Sequence, residues 1–190
     1  MYNATGGVNT HKGIIYSMGI LCASIGRLWS PENPFADISH ICSESANIAK
    51  DAIKKDFEQI DASIAGGRLY LEYGLRGIRG EVASGFVSVL KIGLPCYKSL
   101  RDKNLSQNDA GVITPLHLIA NIEDTNMYNR GGIEGAKGAV QIVRNMLKCS
   151  AEPEIKQIEL LDDYFINHNL SPGGCADLLA ITYFLYNFKQ

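Results

Sequence analysis

Three short stretches of this chain set glycine pairs beside groups that bind or polarise anions. They read Thr5-Gly6-Gly7-Val8-Asn9-Thr10-His11-Lys12-Gly13, Asp124-Thr125-Asn126 followed by Arg130-Gly131-Gly132, and Ser171-Pro172-Gly173-Gly174-Cys175-Ala176-Asp177. Glycine lets backbone N–H groups turn outward, and the first turn of a helix leaves donors unpartnered, so each stretch can receive an anion. A single Gly-Gly pair, as at Gly66-Gly67, signals no more than a tight turn. Several pairs in polar company point to a polyphosphate or nucleotide ligand.

The first stretch has the spacing of the phosphate loop G-x-x-x-x-G-K-[ST] when read from Gly6 to Lys12. His11 stands where the second glycine belongs, Gly13 replaces the hydroxyl residue, and no strand precedes it. A P-loop NTPase is excluded. What remains is a donor-rich loop, Asn9, Thr10 and His11, with Lys12 as a cation at a helix start. Capping by Asn9 or Thr10 alone does not call for so many polar groups.

In Glu72-Tyr73-Gly74-Leu75-Arg76-Gly77-Ile78-Arg79-Gly80-Glu81 a continuous helix would align Glu72, Arg76 and Arg79 on one face. Its three glycines would cost about 1 kcal/mol each in a helix interior, so something should offset them. The forks of Arg76 and Arg79 suit phosphate oxygens; the plain alternative is a surface Glu–Arg ladder. Asp124, after the apolar run Leu116 to Ile122, can hold Mg²⁺ through oxygen, or can make an Asx turn. Arg130-Gly131-Gly132 is expected to open a further helix. Asp177 lies one turn into an apolar helix, where a carboxylate must pair with a cation, ligate a metal or act on substrate. An ion pair with Arg76 or Arg79 stands level with the catalytic reading. His117 is expected to be a satisfied core residue.

The elements that must position these groups are helical. Ile38, Ile41, Cys42, Ile48, Ala49, Ala52, Ile53, Phe57 and Ile60 recur at three- and four-residue steps, with charged residues opposite. Ile155, Ile158, Leu161 and Phe165 repeat the pattern, and Ala176 to Phe188 is apolar all round, as a central helix is. Ser171 is expected to cap that helix and Pro172 to occupy its first turn. Loops are expected at 30–35, 101–109, 126–132 and 167–174. No strand alternation or hairpin signal occurs. The prediction is an all-α fold, a single-domain bundle of about seven helices over residues 1–190.

A chain of 190 residues, 46% hydrophobic and 20% charged, is an ordinary globular domain. A net charge of −2 gives no basic surface for nucleic acid. The five cysteines (Cys22, Cys42, Cys96, Cys149 and Cys175) form no CxxC pair, so they are expected to be reduced, mostly buried thiols in the cytoplasm. Met1-Tyr2-Asn3-Ala4 carries no signal-peptide features. The apolar run from Gly13 to Gly26 is too short to span a bilayer and is expected to be a buried helix.

Four ordered motifs resemble the triphosphoribosyl-dephospho-CoA synthase family, which makes the prosthetic-group precursor of citrate lyase and malonate decarboxylase. They are Ala4 through Gly13, Leu75-Arg76-Gly77…Gly80-Glu81-Val82…Gly85-Phe86, Asp124-Thr125-Asn126…Arg130-Gly131-Gly132, and Leu170-Ser171-Pro172-Gly173-Gly174…Ala176-Asp177-Leu178-Leu179. The resemblance implies a transferase that joins C1 of the ATP ribose to the ribose 2′-hydroxyl of 3′-dephospho-CoA, releasing adenine. It implies catalytic roles for Glu81, Asp124 and Asp177, with Mg²⁺ at Asp124 and Asp177. Substrate contacts are implied for Asn9, Thr10, His11, Lys12, Arg76, Arg79, Asn126, Arg130, Gly131, Gly132, Ser171, Gly173 and Gly174. Its product would pass to an acyl carrier protein of citrate lyase or malonate decarboxylase, with neither nucleic acid nor membrane as partner. Family members carry a further amino-terminal helical region, so the chain is expected to be the C-terminal part of a longer fold. A nucleotide-binding fragment without turnover is the alternative.

Overall fold

The most apolar stretch of the sequence, near its C-terminal end, forms the helix around which the others are arranged. The structure is a computed structural model describing residues 3, 4, 6, 11–34 and 36–188. Among the described residues it is all-α, with no strand. The order is α1 (Lys12–Leu28), α2 (Ile38–Glu58), α3 (Ala65–Tyr73), α4 (Gly77–Ala83), a π-helical turn (Val89–Gly93), α5 (Leu94–Asp102), α6 (Gln107–Asn121), α7 (Thr125–Cys149), α8 (Ile155–Asn167) and α9 (Gly173–Asn187).

Helix α9 touches α1, α5, α6, α7 and the π turn. Leu178, Ile181 and Leu185 on it are fully or almost fully buried, as its apolar surface on all sides demands. On α2 the expected stripe is realised: Ile41, Cys42, Ala49 and Ile53 face the core. Asp37 caps that helix, accepting from Ser39 N at 3.0 Å. The hydroxyls of Ser24 and Ser45, both buried and 2.8 Å apart, join α1 to α2.

The nine α-helices described exceed the expected seven because residues 65–102 are cut into short pieces. Helix α3 stops at Gly74, whose φ of 71° is the left-handed C-cap conformation, and Arg76 becomes the N-cap of α4. Glu72, Arg76 and Arg79 therefore do not share one continuous helix face. Residues 126–132, expected as a loop, are helical, because α7 starts directly at Thr125 behind the Asp124 cap. The expected helix start at Arg130-Gly131-Gly132 survives only as a break inside α7 at Gly132 (φ 69°, ψ 176°).

Two further expectations are corrected. Helix α1 is not buried all round: Ile15 is 68% exposed, and Cys22 also faces outward, so burial of that thiol fails. Ser171 does not cap α9; Pro172 holds the N-cap position, without a side-chain bond. His117 is half-buried, with Nε2 3.0 Å from Ala151 O, so it is satisfied as expected.

Candidate active site

The group that replaces the missing α9 cap is Asp124. Its Oδ1 accepts from the N–H of Asn126 (2.8 Å) and Met127 (3.3 Å), capping α7. Its Oδ2 accepts from Cys175 N at 2.8 Å, in the first turn of α9. One carboxylate thus sits at the positive ends of two helices, where a negative charge is favoured. Asp124 is only 4% exposed. Burial raises its pKa, and the three backbone donors pull it back down. The bond to Asn126 N is an Asx turn, so the modest structural reading of this motif holds, extended by a partner 51 residues away.

Close packing makes this corner possible. A Cβ on Gly174 would lie 3.1 Å from Asp124 Oδ2, and one on Gly173 would lie 2.7 Å from Asn126 Nδ2. A side chain at either glycine would push α9 away from α7. At the other side of the corner, a Cβ on Gly13 would overlap the Asp177 carboxylate, so Asp177 rests against the first turn of α1.

Asp177 is half-buried, and its pKa is raised to about 6. Burial is the main cause, and the neighbouring charge of Asp124 adds to it; His11, at the N-cap of α1, works the other way. No ion pair to Arg76 or Arg79 is present among the described residues. The ion-pair alternative for Asp177 is not what the fold builds. Glu81, on α4, accepts from Ser88 Oγ at 2.5 Å and Ser88 N at 3.3 Å. Its charge, with that of Asp124, acts on Cys175, whose buried thiol is held well above its usual pKa, by burial first. Cys175 is therefore a protonated thiol and not a nucleophile.

Glu81, Asp124, Asp177 and His11 thus meet where α4, α7, α9 and α1 converge, together with Asn126, Gly173 and Gly174. Lys12 opens α1 at the same end as His11. Ser171 is half-buried two residues ahead of α9. Asn9 and Thr10 lie outside the described residues.

The arginines are placed differently. Arg79 Nε lies 2.6 Å from Asp56 Oδ2 in a partly exposed pair, and Arg76 Cζ lies 4.7 Å over the Phe57 ring. Both line a recess whose wall includes Thr125, the residue after Asp124. Arg130 is exposed, and no hydrogen bond or ion pair ties its side chain to the carboxylates among the described residues. Gly131 packs on Leu170, and Gly132 breaks α7. Sequence reasoning missed Cys175 as a backbone donor, Ser88 as the clasp on Glu81, and Asp56 and Phe57 as the arginines' neighbours. Only Ser88, seven residues from Glu81, lies within reach of a local pattern.

Among the described residues, no group of three or more His, Cys, Asp or Glu side chains is arranged to hold a metal ion. A carboxylate offers about four lone pairs. Those of Asp124 are engaged by three backbone N–H groups and the Cys175 thiol. No described helix is long and apolar enough to cross a membrane.

An all-α chain thus brings a buried carboxylate, Asp124, and a half-buried one, Asp177, to one convergence of helices. Residues 1–190 match the family model CitG, described as ATP:dephospho-CoA triphosphoribosyl transferase, and the chain belongs to that family. A Citrobacter koseri protein named a probable 2-(5''-triphosphoribosyl)-3'-dephosphocoenzyme-A synthase is 38% identical over 194 residues, covering 100% of this chain. An Albidiferax ferrireducens protein with the same name is also 38% identical over 194 residues, again with 100% of this chain covered. An Escherichia fergusonii 2-(5''-triphosphoribosyl)-3'-dephosphocoenzyme-A synthase is 37% identical over 196 residues and covers 100% of the chain. The chain spans 64% of the length of each of these relatives. No solved structure matches it.

Proposed function

We propose that this chain carries the centre of a transferase that moves the 5-triphosphoribosyl group of ATP to the ribose 2′-hydroxyl of 3′-dephospho-CoA. The C1–adenine bond breaks, a C1–O bond to the 2′-hydroxyl forms, and the triphosphate stays intact. Such a displacement develops oxocarbenium-like positive charge at C1. The observation that carries the reading is the meeting of Asp124, Asp177 and Glu81 at one corner of the bundle, which suits a cationic transition state.

Within this reading Asp177 takes the proton of the attacking 2′-hydroxyl. A carboxylate with a pKa near 6 is better matched to that task at neutral pH than an unperturbed one. Asp124 is a fixed charge that orients the starts of α7 and α9, and Glu81 adds a second negative group opposite Cys175. Lys12 and Arg130 are the cations proposed to hold the triphosphate, with Arg76 and Arg79 meeting the nucleotide from the recess beside Thr125 and with Asn126, Gly131, Gly132, Gly173 and Gly174 as backbone and amide contacts. Mg²⁺ would enter with ATP and neutralise triphosphate charge, with Asp177 and the neighbouring Asp124 as the carboxylates that would hold it. The product is read, from the family resemblance, as bound for an acyl carrier protein of citrate lyase or malonate decarboxylase. A cytoplasmic location is supported by five free cysteines.

Chromatography of the chain incubated with Mg²⁺, ATP and 3′-dephospho-CoA tests the reading. Adenine should appear only when both substrates are present, with no phosphate released. ADP or phosphate in place of adenine defeats it.

A further inference from the structure

A recess of about 260 Å³ opens between the end of α2, the helix α3 and the start of α4. Its wall holds a stack that the chemistry described so far does not use. The Phe57 and Tyr70 rings have centroids 4.6 Å apart and planes tilted by 34°, and the Arg76 guanidinium lies over Phe57. Aromatic faces and a flat delocalised cation together favour a further planar ring, through stacking and cation–π attraction.

The dimensions and rim narrow the choice of ring. The volume falls just below the ~300–1,000 Å³ of sites that enclose drug-sized ligands, so it has room for one ring system and not for a whole nucleotide. Asp61, at the rim, keeps its carboxylate in place by accepting from Ser63 N at 2.8 Å. A carboxylate there accepts from an exocyclic amine and repels a ring oxo group. Thr125, directly after Asp124, is part of the lining, so a sugar attached to the ring has the start of α7 within the same wall. A Cβ on Gly77 would lie 3.1 Å from the Thr125 side chain, which keeps this end of the recess against the start of α7.

We propose that this recess binds the adenine ring of an adenine nucleotide, stacked against Arg76, Phe57 and Tyr70, with its ribose beside the start of α7. The identity of the nucleotide rests on the function proposed above; the location of the ring site does not. ATP and 3′-dephospho-CoA both carry adenine, and the experiment separates them.

Two variants test it by different routes. Phe57→Leu removes the stacking face but keeps apolar bulk. Gly66→Leu fills the recess from its rim: Gly66 lines it, sits near the start of α3, and a Cβ there meets nothing within 4 Å. The first carbon of the new side chain therefore meets no atom of the protein. Calorimetric titrations of the 190-residue chain would use ATP, 3′-dephospho-CoA and inorganic tripolyphosphate as a ringless control. Both variants should bind at least one of the two nucleotides on the order of tenfold more weakly, with tripolyphosphate unchanged. Whichever nucleotide weakens is the one whose ring occupies the recess. Wild-type affinity for both nucleotides in both variants overturns the proposal, and so does a wild-type chain that binds neither. Normal adenine release with unchanged affinities would remove the ring site alone. Weakened nucleotide binding in a chain that releases no adenine would keep the ring site and remove the transferase reading.

Discussion

The start of α7 and the break within it each set a polar group near a Gly-Gly pair, the first from α9 and the second from α7 itself, yet they have different uses in the fold. At the start, Asp124 is buried and caps two helices at once, with Gly173 and Gly174 held close enough to allow it. In the middle, Arg130 is exposed, Gly131 packs on Leu170, and Gly132 breaks the helix. The difference lies in what surrounds the polar group. A carboxylate withdrawn from water needs donors from elsewhere in the chain, and those donors fix the geometry of a corner. An exposed arginine needs none and fixes nothing.

Substitutions can break or sharpen this contrast. The largest effect is expected at Asp177: Asp177→Asn should lower adenine release by on the order of 10²–10⁴-fold, the range of a lost general base. The same change should raise stability. A carboxyl whose folded pKa of about 6 lies above its ordinary 3.8 favours folding most when protonated, and that contribution is lost as pH rises through 6. At pH 7–8 the neutral amide escapes this loss. Discounted for solvent screening, the gain is about 1 kcal/mol, or roughly 2–4 °C in Tm by calorimetry. A variant that loses both activity and stability would mark Asp177 as structural.

Asp124→Ala should be next, removing the cap of α7 and the acceptor for Cys175 N together. A destabilisation of about 2–4 kcal/mol is expected in denaturant titration, alongside lost turnover. Gly132→Ala should cost about 1–3 kcal/mol, since φ 69° with ψ 176° is a region that only glycine adopts readily. Its activity at saturating substrate should survive, because the break lies away from the carboxylate corner. Arg130→Ala should be the mildest, shifting stability by no more than about 0.5 kcal/mol. If Arg130 holds the triphosphate, its removal should raise KM for ATP by about fivefold while leaving kcat unchanged.

Much of this was legible in the sequence, and the failures have a common cause. Helices α2, α8 and α9 follow from local period, and the all-α class follows with them. The Asx turn at Asp124 and the partial withdrawal of Asp177 from water could be read from carboxylates set beside apolar runs. The partners of those groups could not. The bond from Cys175 N to Asp124 spans 51 residues, and Arg79 meets Asp56 across 23, so no local spacing encodes either. The choice between an arginine pair and a chemical role for Asp177 was left level for the same reason, since the contacts of Asp56 and Phe57 on α2 with the arginines are not local. Breaks at Gly74 and Gly132 were misjudged in opposite directions. Glycine shows where a helix is permitted to stop, while packing decides whether it stops or only bends.

The pH dependence of kcat for adenine release bears most directly on the central claim that Asp177, at the convergence of α1, α4, α7 and α9, takes the hydroxyl proton. Turnover should fall as pH drops through about 6, where Asp177 becomes protonated, and Asp177→Glu should move that limb while keeping measurable activity. A wild-type profile flat from about pH 5 to 8, or an Asp177→Asn variant with an unaltered limb and rate, would contradict it.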